Sequence, residues 1–420
     1  MLQTVAESGN EMNMEKKELI WVSTVFPDPP TDGNSLRNFN ILSELAKYYT
    51  IHFFSYRQGK EPANLNGRLA QICASIHTIP LNNRTYSFFN KVTSRIRSLA
   101  HVKPGFAVSK DESSLKKAIE ACLRDHHIAC VISISPWVTF TDLSNRTVPV
   151  IMDEQNVEFL RLKELSAIEK NPVRKFSRFL DYRTMRSYEL KLIRTVNAVT
   201  VVSDADALRF KNLYPDREYP VVPNGVDTEY WKFDFKRSGT KKIVFSGGMS
   251  YFPNHDAMEF FLKSIYPLVL KSDPAVQLTI AGKNPQPELI SLARSFQGSV
   301  TCTGFLNDIR PSVYEASVCI VPIRAGGGTR LKILEAMAAG VPVVSTSKGA
   351  EGLAVVDKEH LLIADTPESF TNAVITLLSN DDVRYSLASH ARKLVEGTYS
   401  WVSIAGLMKK TIDSCMNEKA

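Results

Sequence analysis

The segment best equipped for chemistry is RAGGGTRLKILEAMAAG, Arg324–Gly340. Gly326, Gly327 and Gly328 strip Cβ atoms from a turn, so backbone can approach a ligand closely. The apolar run VCIVPI precedes them, and the spacing predicts a helix over Thr329–Ala339. A helix opening on such a turn offers free N–H groups and its positive dipole end, which together bind anions. Arg330 and Lys332 put two full positive charges into the first turn, where cations oppose the dipole. An anion between them removes that penalty. Glu335, three residues beyond Lys332, shares its helical face and can accept hydrogen bonds from sugar hydroxyls. The same residues also suit a glycine-rich turn with a solvated Lys–Glu pair.

Further turns repeat the theme. VFSGGMSYFPNHDAMEFF, Val244–Phe261, reads as a strand, a Gly247–Gly248 turn whose amides can meet a phosphate, and a helix capped by Asn254 with Asp256 in its first turn. A plain strand–helix turn fits it equally. AGKN, Ala281–Asn284, sets Gly282 and Lys283 at the end of the next strand. Earlier in the chain, PPTDGNSLRNFNIL offers Gly33 and Arg37, and MDEQNVEF offers Asp153, Glu154, Gln155, Asn156 and Glu158. Each of these alone also suits a cap or a surface charge. Asp204-Ala205-Asp206 spells a metal-binding D-x-D, but Ser203 with Asp206 three residues on reads as a capping box at a helix start.

Positioning these turns requires short buried strands alternating with helices. Strand candidates begin at Leu19, Ile51, Ala129, Val148 and Ala198, then at Lys242, Val276, Ser299, Val318 and Val341. Helical stretches include Asn34–Tyr48, Leu115–Asp125, Asp256–Leu270, Glu288–Phe296 and Thr329–Ala339. Continuous apolar strands are buried on both faces, and strict alternation with helices implies parallel, doubly wound sheets. The α/β pattern restarts near Lys241, which predicts two Rossmann-like domains facing across a cleft. The expected division is a disordered tail over 1–15, an N-terminal domain over 16–230, a linker over 231–240, a C-terminal domain over 241–398, and a last helix within 399–420 returning to the first domain. Ligands in such sheets bind beyond the carboxyl ends of the strands.

The 420 residues are 44% hydrophobic and 23% charged, which excludes disordered, collagen-like and disulfide-scaffold proteins. Six cysteines, none in C-x-x-C, read as scattered buried thiols rather than disulfides or zinc ligands. The N-terminus lacks the apolar stretch of a signal peptide, and no apolar run can span a bilayer. A P-loop, a G-x-S-x-G elbow and G-x-G-x-x-G are missing, which counts against an NAD-dependent dehydrogenase. No nucleic-acid-binding module is recognisable.

With these motifs in this order, the chain resembles a glycosyltransferase of the GT-B fold, in the family-4 group of retaining, nucleotide-sugar-dependent enzymes that build exopolysaccharide, lipopolysaccharide and other cell-surface glycans. The markers are the Arg37 turn, DEQNVEF, VVSDADALRF, VPNGVDTEYW, FSGGMSYFPN, AGKNP, GFLNDIRP and GGGTRLKILEAMAAGVPVV, spread over about Leu19 to Cys415. The resemblance implies a nucleotide diphosphate sugar as co-substrate, with no cofactor and no metal. It assigns catalysis to Arg330, Lys332 and Glu335, with Glu335 on the ribose. The donor side falls to Gly247, Gly248, Met249, Lys283, Gly327, Gly328, Thr329 and Leu331, the last two with Arg330 giving amides to the distal phosphate. The acceptor, a glycan or a lipid-linked sugar, falls to Gly33, Arg37, Gln155, Asn156 and Glu158. Three positions depart from the family. Gly327 replaces the first Glu of E-x7-E, Met249 and Asn254 stand where an Arg and a Lys are common, and Gln155 stands near a frequent His. A nucleotide-sugar epimerase of the same fold and a non-catalytic GT-B partner are the alternatives.

The net charge of +7 is unevenly placed. Residues 241–420 hold 18 basic and 17 acidic residues. Arg84–Lys103 has five basic and no acidic residues, and Lys170–Arg194 has eight basic and two acidic. Both segments carry aromatic side chains. They suit either solvated helix faces or a cytoplasmic protein resting peripherally on an anionic inner-membrane surface.

Overall fold

The computed structural model describes residues 16–30, 32–57, 67–80, 112–136, 148–169, 171–235, 240–326 and 328–417. The expected tail, the basic segment Arg84–Lys103, Lys170 and Gly327 lie outside the described residues.

Two six-stranded sheets form. The first holds β1 (Glu18–Ser23), β2 (Thr50–Arg57), β3 (Ser75–Pro80), β4 (Ile128–Ile134), β5 (Val150–Glu154) and β6 (Ala198–Val201) in the order 3-2-1-4-5-6. The second holds β7 (Lys242–Ser246), β8 (Gln277–Ala281), β9 (Val300–Gly304), β10 (Val318–Val321), β11 (Val343–Ser345) and β12 (Leu362–Ile363) in the order 12-11-10-7-8-9. The two orders are the same winding, and the strand pairs are parallel throughout. Each sheet reverses direction at one place, between β1 and β4 and between β7 and β10. Crevices open there at the carboxyl ends of the strands.

The side-chain period of two explains why both faces of the first sheet are covered. Ile20 and Val22 join a core with Phe54, Val131 and Met152, while Leu19 and Trp21 join another with Phe53, Ile132 and Ile151. The helix Trp401–Asn417 closes the second of these through Trp401, Ile404, Met408 and Ile412. It has therefore crossed back to the first domain, as expected. A single apolar core surrounds the second sheet.

Sequence reasoning missed two strands, β3 and β12. Both are edge strands: β3 is half-exposed with His77 and Thr78 in it, and β12 has two residues, so neither shows a continuous apolar run. The helix expected from Asp256 starts earlier, at Phe252, and runs to Ser272 through a wider turn at Phe261–Ile265 ahead of Pro267, whose ring removes an N–H donor. All six cysteines are free thiols. Among the described residues no helix is long and apolar enough to cross a membrane.

Candidate functional site

The second crevice is walled by the turns after β7, β8 and β10. Gly247, Gly282, Gly326 and Gly328 all have positive φ. A Cβ on Gly282 would lie 1.9 Å from the Gly247 carbonyl oxygen, so the β7 and β8 turns lock backbone to backbone. Gly282→Ala is therefore expected to destabilise the protein by about 1–3 kcal/mol, visible as a lower melting temperature. An unchanged melting temperature would mean the turns can part freely.

The bare Gly247 makes room for a cation. A Cβ there would lie 2.9 Å from Lys332 Nζ and 2.8 Å from Asn254 Nδ2. The Lys332 ammonium donates to Asn254 Oδ1 at 2.8 Å and stands 3.7 Å above the Phe245 ring. It forms no ion pair with Glu335, so the solvated Lys–Glu pair is not what the chain builds. Lys332 and Glu335 keep some surface at the crevice floor, yet protein encloses them on every other side, and that enclosure governs their protonation. Burial pulls Lys332 down to about 7. Burial pushes Glu335 up to about 7, against the opposing pull of Lys332. A lysine so poorly solvated is held ready for an anion.

The helix expected from Thr329 starts at Leu331, with Arg330 as its N-cap and no side chain capping it. Its first-turn amides face the same crevice. Arg330 is buried and turned back on the loop, donating to the carbonyls of Gly326 at 2.8 Å and Gly328 at 3.0 Å. In this state it braces the glycine turn. Lys283 is exposed, its Cγ 3.9 Å from where a Gly248 Cβ would be, and stands at the rim.

Several sequence assignments are corrected. Met249 is fully buried in the second core, and only its backbone N–H faces the turn, donating to the Lys283 carbonyl at 2.9 Å. Asn254 is not the cap. The helix begins at Phe252 with Tyr251 as N-cap, and Asn254 instead bridges Gly248 O (3.0 Å) to Lys332. Glu154 is buried, 1% exposed. Neither of its oxygens has a hydrogen-bond partner, and burial beside Glu189 pushes its carboxyl well above the usual range.

Arg37 does not face the cleft either. It is 1% exposed and uses all five N–H groups: on Asp153 Oδ1 (2.9 Å) and Oδ2 (3.1 Å), on the carbonyls of Val222 (2.8 Å) and Pro223 (2.6 Å), and on Asn224 Oδ1 (3.3 Å). Thr200 and Gln155 complete the ring around Asp153. Glu158 is 8% exposed and tied to Arg161 at 2.6 Å. Arg161 in turn lines the interdomain cavity.

Other assigned residues do converge. Gly33 closes on Leu331, whose Cδ1 would be 3.0 Å from a Gly33 Cβ. Gly328 faces Asn156 Oδ1 at 3.1 Å and the Gln155 carbonyl at 3.9 Å by the same measure. Asn224 Nδ2 donates to Thr329 Oγ1 at 2.7 Å. The β1 and β5 turns of the first domain therefore abut the β10 turn of the second. Beside this junction lies a cavity of about 360 Å³ between the domains, lined by Asn156, Arg161, Lys163, Glu164, Arg209, Tyr251, Gly328 and Lys348 among others. Arg209 spans the gap, pairing with Asp206 at 2.5 Å and Glu351 at 3.1 Å. Asp206 is further fixed by Ser203, which caps the helix Asp204–Lys211 and donates from its hydroxyl to Asp206 Oδ2, a simple cap in place of the expected capping box. Asn224, Asn254, Tyr251, Arg209 and Lys348 were not singled out for these roles. Asn254's place seven residues after Gly247 was the available signal.

The fold, two Rossmann-like sheets of the same winding, is matched in known proteins. Residues 240–380 match the family described as Glycosyl transferases group 1. An uncharacterized 44.6 kDa protein in the cps region of Klebsiella pneumoniae is 29% identical over 177 residues, 41% of this chain and 45% of that protein. The matches span about half the length of the curated relatives. The sucrose-phosphate synthase of Thermosynechococcus elongatus superposes over 96% of this chain and 100% of its own, with a TM-score of 0.71 and 16% identity. HepE of Anabaena, solved with UDP and glucose, superposes over 95% and 100%, with a TM-score of 0.65 and 13% identity. The fold is GT-B.

Proposed function

We propose that the protein transfers a sugar from a nucleotide diphosphate sugar to a glycan or lipid-linked acceptor, with retention of anomeric configuration and without a catalytic metal, in the making of a cell-surface polysaccharide. The observation that carries this reading is the enclosed Lys332 ammonium, set against Gly247 at the open end of the Leu331–Ala339 helix. Breaking the bond from anomeric carbon to phosphate puts negative charge on the leaving diphosphate. Lys332 and the amides of Thr329, Arg330 and Leu331 meet that charge in a preorganised site, where each well-placed donor contributes about 3–4 kcal/mol. Glu335 holds the ribose hydroxyls, and its raised carboxyl can donate as well as accept. The acceptor enters the interdomain cavity from the Asn156 side. No histidine stands at Gln155, so the leaving phosphate itself takes the acceptor proton on the same face. The cps-region relative and the UDP complex of HepE support this choice of donor and pathway.

A thermal-shift and turnover screen over UDP-, GDP-, ADP- and dTDP-sugars tests the reading. One donor is expected to raise the melting temperature and to be consumed, with activity persisting in EDTA. Product formation that needs no acceptor would indicate an epimerase. Absence of turnover with every donor would indicate a non-catalytic partner. EDTA inactivation reversed by Mn²⁺ or Mg²⁺ would overturn the metal-free step.

We also propose that the first domain rests on an anionic membrane surface. On the helix Pro172–Thr195, Val173 is 78% and Phe176 63% exposed, and Phe179 continues the stripe one turn on. Arg174, Lys175 and Arg178 flank it, the pairing of apolar side chains and cations that suits an interfacial helix. The Val173→Ser/Phe176→Ser double variant is expected to lose at least half of its low-salt binding to anionic vesicles. Failure of the unaltered protein to bind such vesicles would remove the proposal.

A further inference from the structure

A second constellation lies at the opposite end of the first sheet, beyond its amino edge. Glu18 opens β1, His52 is the third residue of β2, and Ser75 opens β3. Cys122 lies in the last turn of the helix Glu112–Asp125, and His126 follows that helix just ahead of β4. The chain spreads these residues over more than a hundred positions, and only the parallel winding gathers them.

Their geometry is convergent. Glu18 Oε2 lies 3.2 Å from His52 Nε2 and 3.2 Å from His126 Nδ1. The two imidazole rings are 4.3 Å apart between centroids. One ligating atom each of His52, Cys122 and His126 falls within 4.8 Å of the other two. Ligand atoms of a tetrahedral zinc centre, bound at 2.0–2.3 Å, stand roughly 3.3–3.8 Å apart. Reaching that spacing takes a contraction of about 1 Å. The other ring nitrogen of His52 is 2.8 Å from Ser75 Oγ. That outer contact fixes the ring's orientation, as partners of metal-bound imidazoles do. His52 is 3% exposed, whereas His126 is 42% exposed and leaves a way in from solvent.

We propose that Glu18, His52, Cys122 and His126 form a binding site for a borderline divalent transition-metal ion of the zinc type. Two imidazoles, a thiol and a carboxylate favour zinc, cobalt or nickel over magnesium or calcium, which require oxygen ligands. The ion joins β1, β2 and the helix leading to β4 at the end of the sheet remote from the sugar-transfer cleft, so its role is to fasten the first domain. An ion that binds only the folded state raises stability in proportion to the logarithm of its concentration over Kd. The competing arrangement is a purely hydrogen-bonded one, with both imidazoles donating to Glu18.

The full chain, stripped with chelator and dialysed, is titrated with Zn²⁺ and separately with Co²⁺. The expected result is one equivalent bound per chain, a melting temperature raised by several degrees, and a cobalt spectrum with tetrahedral and thiolate charge-transfer bands. Cys122→Ser is expected to lose the charge-transfer band. His126→Ala is expected to weaken binding at least tenfold while donor turnover stays as in the parent. His126 is largely exposed, so that variant carries the test even if the buried cysteine variant fails to fold. Absence of stoichiometric binding, or binding and spectra that persist in both variants, would overturn the proposal.

Discussion

Lys332→Ala is expected to lower sugar-transfer turnover roughly 100- to 1,000-fold, the loss seen when one preorganised donor to a developing anion is removed, while leaving the melting temperature unchanged or higher. The second half of that expectation comes from burial. Protein encloses the ammonium, and burial draws it down to about 7, so the fold bears a cost for carrying it. Deleting it relieves that cost, a trade of activity against stability typical of binding sites. The pH behaviour follows with a definite sign. Between about 7 and the ordinary lysine value, the unfolded chain holds a proton on Lys332 that the native protein has released. Stability through this residue therefore rises with pH across that window and is least below 7. Glu335, raised to about 7, works in the opposite sense. The native protein keeps a proton that the unfolded chain loses, so its contribution falls as pH rises from the ordinary carboxylate range to 7. A bound diphosphate restores the charge on Lys332. Donor binding is then expected to take up a proton near neutral pH and to weaken as pH rises from 7 to 9. Calorimetry in two buffers of different ionisation enthalpy measures that uptake. Lys332→Arg should bind without it, since a guanidinium stays charged. Normal turnover in Lys332→Ala together with normal turnover in Arg330→Ala would sink the site assignment.

Arg37→Met is expected to cost about 3–5 kcal/mol, because it strands the wholly buried Asp153 carboxylate without its cation. For a protein of this size that is a fall in melting temperature of about 3–6 °C. The double variant Arg37→Met/Asp153→Leu should recover much of the loss, since removing both charges of a buried pair is far less costly than removing one. Activity should not recover with it. Arg37 also holds the Val222 and Pro223 carbonyls and Asn224 Oδ1, and Asn224 reaches Thr329 in the glycine turn after β10. A single-variant melting temperature within about 2 °C of the parent would show that the pair is not what secures this junction. Arg37→Lys is no rescue, because an ammonium cannot reproduce the five-donor fork.

The contrast between these two residues shows what the sequence could carry. Lys332 was legible because its neighbours fixed its place: glycines before it, an apolar helix after it and a strand leading in. Arg37 has the same local credentials, a charged residue one turn into a helix after a glycine turn, yet it faces inward. Its partners lie at Asp153 and Val222–Asn224, and nothing within its own segment signals them. Met249 failed for the opposite reason. Its type already favours a core, and only the analogy placed it on the donor. Most of the other ten strands were readable because burial writes them as apolar runs, β9 being the half-exposed exception. Strand β3 was not, since it is half-exposed with His77 and Thr78 in it, and β12 was not, since two residues make no run. The Glu18–His52–Cys122–His126 cluster was invisible because only Cys122 and His126 are near in sequence, four residues apart, while Glu18 and His52 come from two other strands.

The closure of the first sheet by the helix Trp401–Asn417 has a consequence for synthesis. Strand β1 and the helix that covers its face lie at nearly opposite ends of the described chain. As the polypeptide leaves the ribosome, this face of the first domain has the helix Gly33–Leu45 over it but not the rest of its cover, while the second domain is made in the interval. The part of the core that Trp401, Ile404, Met408 and Ile412 fill stays open until the final helix emerges. Fusions or truncations near residue 400 should therefore act on the solubility of the first domain, far away in sequence, and a stalled nascent chain would present that half-covered sheet face to chaperones.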